Sequence, residues 1–143
     1  MKTVRQLLEI KGRDIAVISP DASVFDATQL MTTKNIGALL VLDAENKPVG
    51  IVSERDCARK IPKLNRLMSD VRVSEIMTSK IAYVRPEQTN EECMALVTEK
   101  RVRHLPVLEN GRLIGLLSIG DLVKDAISEK DFIIEQLVNY IRG

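Results

Sequence analysis

Apolar and polar positions along this chain change period in a fixed order, and the order is run through twice. A short apolar stretch at 15–18, and another at 81–84, predicts a strand. Each runs into a proline-centred turn, Ser19-Pro20-Asp21 or Arg85-Pro86-Glu87. A helical period follows, with Val24, Ala27 and Met31 on one face in the first copy and Cys93, Leu96 and Val97 in the second. Asp21, Asp26, Glu87, Glu91 and Glu92 fall early in these stretches, where the positive end of a helix favours carboxylates. Next come β-rich runs at 38–42 and 105–108, polar turns at 43–47 and 109–112, and second β-rich runs at 49–52 and 113–117. Two apolar runs joined by such a turn read as a hairpin, and Asn110-Gly111 is the stronger turn signal. A helix then begins near Ser53 or Ser118. Each copy therefore reads β-α-β-β-α.

The copies agree residue by residue as well. Pro20 pairs with Pro86, Leu30 with Leu96, Lys34 with Lys100, Leu39 with Leu105, Val41 with Val107, and Gly50, Ser53 and Asp56 with Gly115, Ser118 and Asp121. Two copies this far apart indicate a tandem, pseudo-symmetric pair and not a solenoid. Clefts at repeat interfaces are common places for small ligands. The duplication extends upstream, since Val4-Arg5-Gln6-Leu7-Leu8 matches Val73-Ser74-Glu75-Ile76-Met77. Pro62 ends or bends the helix before it. The expected organisation is a first repeat with its lead-in at 1–61, a linker at 62–72, a second repeat at 73–127 and a separate helix at 128–143. Ser128 and Asp131 have capping-box spacing. Ile133, Leu137, Tyr140 and Ile141 share a broad apolar face that must dock on the pair or on a second subunit.

Composition narrows the function. The apolar share of 45% and the charged share of 29% are those of an ordinary globular protein. A net charge of +1, with two Tyr, two Phe and no Trp, offers neither electrostatic pull nor stacking platforms. Nucleic acid is therefore a poor partner. No apolar run approaches the roughly 20 residues of a membrane span, and the N-terminus lacks a signal-peptide pattern. A cytoplasmic protein without a membrane partner is expected. Cys57 and Cys93 occupy non-equivalent positions and read as free thiols. With one histidine and two separated cysteines, metal ligands and a nucleophilic triad are both missing, as are phosphate loops of the GxxxxGK or GxGxxG type. No catalytic residue and no metal are expected, and the chain does not read as an enzyme.

The candidate chemistry lies in Gly50-Ile51-Val52-Ser53-Glu54-Arg55-Asp56 and Gly115-Leu116-Leu117-Ser118-Ile119-Gly120-Asp121. Ser-x-x-Asp at a helix start has a plain structural meaning, a cap in which the serine oxygen accepts a free backbone N–H. Its recurrence at the same point of a duplicated strand–turn–helix suggests more. Acidic residues so placed accept hydrogen bonds from ribose hydroxyls in other nucleotide folds, and the adjoining helix N-terminus favours phosphate.

This doubled arrangement, with a proline-anchored helix and a "Leu-Val-Leu" or "Leu-Pro-Val" strand before each motif, closely resembles a cystathionine-β-synthase (CBS) domain pair, or Bateman module. The resemblance runs from Val4 to Ile127 and looks like a stand-alone pair. It implies an α/β (α+β) fold of two pseudo-symmetric repeats packed through their sheets, plus a C-terminal helix. It also implies adenosine-containing ligands (AMP foremost, then ADP, ATP, NAD(H) or S-adenosylmethionine) in clefts between the repeats. Residue by residue, it puts Asp56 and Asp121 on ribose hydroxyls, with Ser53 and Ser118 beside the ribose or phosphate. Ile15 and Ala16 then wall the adenine of the Asp121 cleft, and Ile81, Ala82 and Thr78 that of the Asp56 cleft. Ile51 and Leu116 close the opposite walls; their bland reading is strand core. Arg103, His104 and Arg55 are the phosphate candidates, against the bland reading of surface or half-buried structural residues. Lys34 and Lys100 instead complement negative helix ends.

The clefts are expected to be unequal. Gly37 and Ala38 stand where the second copy has Arg103 and His104, and Gly120 stands where the first has Arg55. Three readings compete. The leading one is a regulatory nucleotide sensor that signals by conformational or assembly change. The second is an interaction or assembly module with vestigial clefts, and the weakest is an enzyme acting on a nucleotide. A disc-like homodimer of four repeats follows from the resemblance.

Overall fold

A computed structural model describes residues 1–142 of the chain. The elements in order are α1 (Val4–Lys11), β1 (Val17–Ile18), α2 (Val24–Lys34), β2 (Ala38–Leu42), β3 (Pro48–Ser53), α3 (Glu54–Leu64), α4 (Val73–Ile76), α5 (Asn90–Lys100), β4 (His104–Glu109), β5 (Arg112–Ser118) and α6 (Ile119–Arg142). This is a mixed α/β fold with small sheets. By packing, the chain forms two compact units. One is continuous, Ile15–Ile81; the other joins Met1–Asp14 to the residues from Ala82 onward.

The continuous unit holds a three-stranded sheet in the order β1-β2-β3, with β1 parallel to β2 and β2 antiparallel to β3. Its core gathers Val24, Ala27 and Met31 of α2 with Leu39, Val41 and Val52 of the sheet and Val71, Val73 and Ile76 of the segment beyond α3. The discontinuous unit is built the same way around β4 and β5, an antiparallel pair. Cys93, Leu105, Val107, Leu117 and Leu122 pack there with Val4, Leu7 and Leu8 of α1. The hairpins share an irregularity at equivalent points, between Val41 and Leu42 and between Val107 and Leu108. Asn110 and Gly111 take φ of 52° and 76°, the left-handed pair that a two-residue hairpin turn needs. Thr3, Ser23, Ser53 and Thr89 start α1, α2, α3 and α5 by accepting the amide three residues on.

Packing regroups the chain relative to the expected boundaries. The first lead-in belongs with the second repeat: Val4 N donates to Gln88 O at 2.8 Å and Arg5 N to Pro86 O at 3.0 Å. The second lead-in belongs with the first repeat, through Val73 N to Ala22 O at 2.8 Å and Ser74 N to Pro20 O at 3.0 Å. Pro20 and Pro86 thus receive the two lead-ins in the same way. Two local expectations also change. The stretch at 81–84 forms no strand, only one parallel bridge from Val84 to Val107, and at 15–18 only Val17 and Ile18 pair as β1. The C-terminal helix is not separate either. It is the continuation of α6, which runs 24 residues without a break. Nothing between Ile127 and Ser128 interrupts the helical hydrogen bonds, so Ser128 caps nothing.

Candidate functional site

Each unit presents its Ser-x-x-Asp motif at the junction of the second hairpin strand and the helix that follows. In the continuous unit Ser53 Oγ accepts from Asp56 N at 3.1 Å, while Asp56 Oδ2 accepts from Ser53 N and Ser53 Oγ, each at 3.0 Å. This is the reciprocal cap that the spacing predicts. Asp56 is also 91% shielded, being 9% exposed. Its second oxygen accepts from Thr78 Oγ1 at 3.0 Å and faces Lys60 Nζ at 3.3 Å. The main chain of Thr78 bridges Ile51 in both directions, N to O at 2.8 Å and O from N at 2.9 Å. Thr78, expected near Asp56, is therefore bonded to it.

The discontinuous unit repeats the cap: Asp121 N donates to Ser118 Oγ at 3.1 Å and Ser118 N to Asp121 Oδ2 at 2.8 Å. Its further partner differs. Lys11, the last residue of α1, donates to Asp121 Oδ2 and to the Leu116 carbonyl, both at 2.5 Å. Burial pushes the Asp121 carboxyl up, but the bonds from Lys11 and from the Ser118 amide outweigh it and hold the group below the ordinary carboxylate value. Beside it lies a cavity of about 430 Å³ lined by Lys2, Leu7, Ile10, Lys11, Asp121, Lys124, Asp125 and Ser128. Asp125 is buried and accepts from Lys2 Nζ at 2.7 Å and Asn90 Nδ2 at 2.8 Å. It too is held low: burial raises it, and the bonds from Lys2 and Asn90 more than compensate.

The glycine of each motif is there for a close approach. A Cβ on Gly50 would lie 2.6 Å from Met77 Sδ, and one on Gly115 would lie 2.6 Å from a Leu8 methyl. Leu8 and Met77 are equivalent residues of the two lead-ins. Each lead-in therefore packs directly over the strand that delivers the aspartate, and only a bare backbone leaves room.

The other expected site residues are placed as follows. Ile15 and Ala16 are half-buried just before β1, and Ala16 O accepts from Leu40 N at 3.0 Å. Ile81 and Ala82 are half-buried in irregular chain. Ile51 is buried in β3 and Leu116 half-buried in β5. Arg103 is exposed ahead of β4 and its carbonyl accepts from Ile119 N at 2.9 Å. His104 opens β4 opposite Ser118, and Arg55 lies exposed in the first turn of α3. Sequence reasoning missed Lys2, Lys11 and Lys124. Burial pushes the Cys93 thiol up to about 11 and raises that of Cys57 as well, so neither is an activated nucleophile.

With this geometry in view, comparison with known proteins places the chain. It matches the CBS domain over residues 7–63 and again over 73–128, and it belongs to the CBS-domain family. Among its relatives is the CBS domain-containing protein CBSX3, mitochondrial, of Arabidopsis thaliana, 34% identical over 149 residues that take in 99% of this chain and 72% of that protein. Inosine-5'-monophosphate dehydrogenase of Methanocaldococcus jannaschii is 30% identical, but the match covers 87% of this chain and only 24% of the enzyme. Among solved structures, a CBS-domain protein from Burkholderia ambifaria MC40-6 superposes with a TM-score of 0.83 at 52% identity, covering 89% of this chain and 95% of the other. The hexameric CBS-CP12 protein of bloom-forming cyanobacteria gives 0.75 at 29% identity, over 86% of this chain and 70% of that one. No helix among the described residues is long and apolar enough to cross a membrane.

Proposed function

We propose that this CBS-domain protein is a regulatory module, not an enzyme, that binds adenosine-containing nucleotides through Asp56 and Asp121 and passes their occupancy to a partner. AMP is the ligand of first choice, followed by ATP, ADP, NAD(H) and S-adenosylmethionine. The observation that carries the reading is the cavity beside Asp121. The hydrogen bonds that Lys11 and the Ser118 amide donate to this carboxylate both fall on Oδ2, which leaves Oδ1 to accept from a sugar hydroxyl, and the adjoining volume lies within the ~300–1,000 Å³ range of small-ligand pockets. Asp56 is more heavily engaged, so the two junctions should differ in affinity. Family membership and the signal-transduction role suggested for the Burkholderia ambifaria relative support a regulatory part. A ligand of this kind shifts the equilibrium between conformations only by its differential affinity for them.

The test is a thermal-shift series with AMP, ATP, NAD and S-adenosylmethionine. A ligand at a hundredfold its Kd stabilises by about 2.7 kcal/mol. Asp121→Ala and Asp56→Ala should each abolish part of the ligand-induced shift, scored against the variant's own baseline because each also loses a cap. Absence of any shift with all four ligands would reject the reading. A second reading, an assembly module, is favoured by the far end of α6, where Phe132, Ile133, Ile134, Leu137, Tyr140 and Ile141 are exposed. The hexameric cyanobacterial neighbour lends it weight. A homodimer joined through α6 is compatible with both readings.

A further inference from the structure

The two units cap the same pair of acceptors with different chemistry. At the Asp56 junction the strand carbonyl of Ile51 takes a backbone amide, and the carboxylate takes the hydroxyl of the same residue, Thr78. At the Asp121 junction the strand carbonyl of Leu116 and the carboxylate both take one ammonium, that of Lys11. A backbone bridge leaves only if the main chain moves. A lysine on a flexible four-carbon stem leaves by changing rotamer. The Lys11 side chain is 35% exposed, so the way out is open. Asp56 also faces an ammonium, Lys60 at 3.3 Å, but that group donates to the Ile76 carbonyl at 2.8 Å and sits one helical turn away on the same helix.

The surroundings of Lys11 favour an anion. Of the three lysines lining the cavity, Lys2 is committed to Asp125 at 2.7 Å and Lys11 to Asp121, while Lys124 has no hydrogen-bond or ion-pair partner among the described residues. Leu7 and Ile10 supply apolar wall. A phosphoryl group entering this space meets one uncommitted ammonium and one that can be reassigned.

We infer that Lys11 sets the ligand class of the Asp121 junction, selecting phosphorylated adenosine over the bare nucleoside; the inference rests on the function proposed above. A ribose hydroxyl that binds Asp121 competes with Lys11 for the carboxylate. If the ligand is neutral, the ammonium loses its anion and gains none. If the ligand carries phosphate, one charge-assisted bond is exchanged for another and the competition disappears. Lys11 is thus a specificity-determining residue, with Lys124 beside it.

Calorimetry with adenosine, AMP and ATP on Asp56→Asn protein isolates the Asp121 junction, the asparagine keeping a capping side chain. AMP should bind at least about tenfold tighter than adenosine, the scale of one charged hydrogen bond. Adding Lys11→Met should collapse that ratio to within about twofold, weakening AMP and strengthening adenosine, whereas Lys11→Arg should keep it. Lys11→Gln repeats the comparison should the methionine variant fold poorly. If Lys11 merely props up α1, its loss would weaken both ligands alike, and an unchanged ratio in K11M or K11Q overturns the inference while leaving the nucleotide reading intact. If neither AMP nor ATP binds, or binding survives Asp121→Ala in the same background, the proposed function fails at this junction and the inference falls with it.

Discussion

Asp121 and Asp125 face the same cavity, and both are carboxylates held low against the upward push of burial. That has a consequence for acid stability. A group whose folded pKa lies below its unfolded value binds fewer protons in the native state, so it contributes stability above the unfolded value and loses it as pH falls through the folded one. For both aspartates the ordinary value is 3.8, so the contribution should be intact above about pH 5 and fade on acidification below pH 4. Urea midpoints measured from pH 6 to pH 3 should fall, and Asp121→Asn should flatten part of that fall. An unchanged slope in the variant would mean that Lys11 does not hold the carboxylate low. The serine and aspartate of each motif could be read from sequence because a cap has a fixed spacing of three. Lys11 could not, since its partner is 110 residues away and no local period marks it.

At the scale of elements, the hairpins and the helices α2 and α5 follow from apolar period and turn chemistry and fall where these signals place them; α3 starts at its expected cap but runs past Pro62 to Leu64, into the stretch expected as linker. The misreadings occur where a local signal was outvoted. Ser128 and Asp131 have capping spacing, but no glycine or proline separates them from the helix already running since Ile119, so continuing it costs nothing. The apolar stretch at 81–84 has strand composition, yet only Val84 finds a bridging partner. The glycine of each motif gives a sharper test of packing. Gly115→Ala drives a Cβ into Leu8, and overpacking of this kind should destabilise by about 1–3 kcal/mol in chemical denaturation. Leu8→Ala opens the space again, so the double variant should lose less than the sum of the single variants. Strict additivity would show that the contact between α1 and β5 is slack.

Across the whole molecule, the far end of α6 stands out for its run of exposed apolar side chains, Phe132, Ile133, Ile134, Leu137, Tyr140 and Ile141. Ile134 and Leu137 are 50% and 57% exposed. Replacing both with glutamate should leave circular dichroism and thermal unfolding close to those of the parent, because neither side chain is core. Light scattering after size exclusion should then report a smaller species than the parent if α6 carries self-association; an unchanged mass would move the assembly surface elsewhere. The repeat itself was legible from end to end. Which lead-in serves which repeat was not, because Val4–Leu8 and Val73–Met77 are alike in sequence and alignment records likeness without recording neighbours.

That exchange of lead-ins also sets an order of events during synthesis. The unit from Ile15 to Ile81 is one uninterrupted stretch and can close as soon as it clears the ribosome. The other unit is begun before it and finished after it: Val4, Leu7 and Leu8 precede Ile15 in the order of synthesis, and Leu105, Leu117 and Leu122 follow Ile81. In the interval α1 is an amphipathic orphan, a natural handle for a chaperone. A nascent chain stalled only after Ile81 has left the ribosome, and before Leu105 has, should therefore shield Ile15–Ile81 from protease while Met1–Asp14 is still cut.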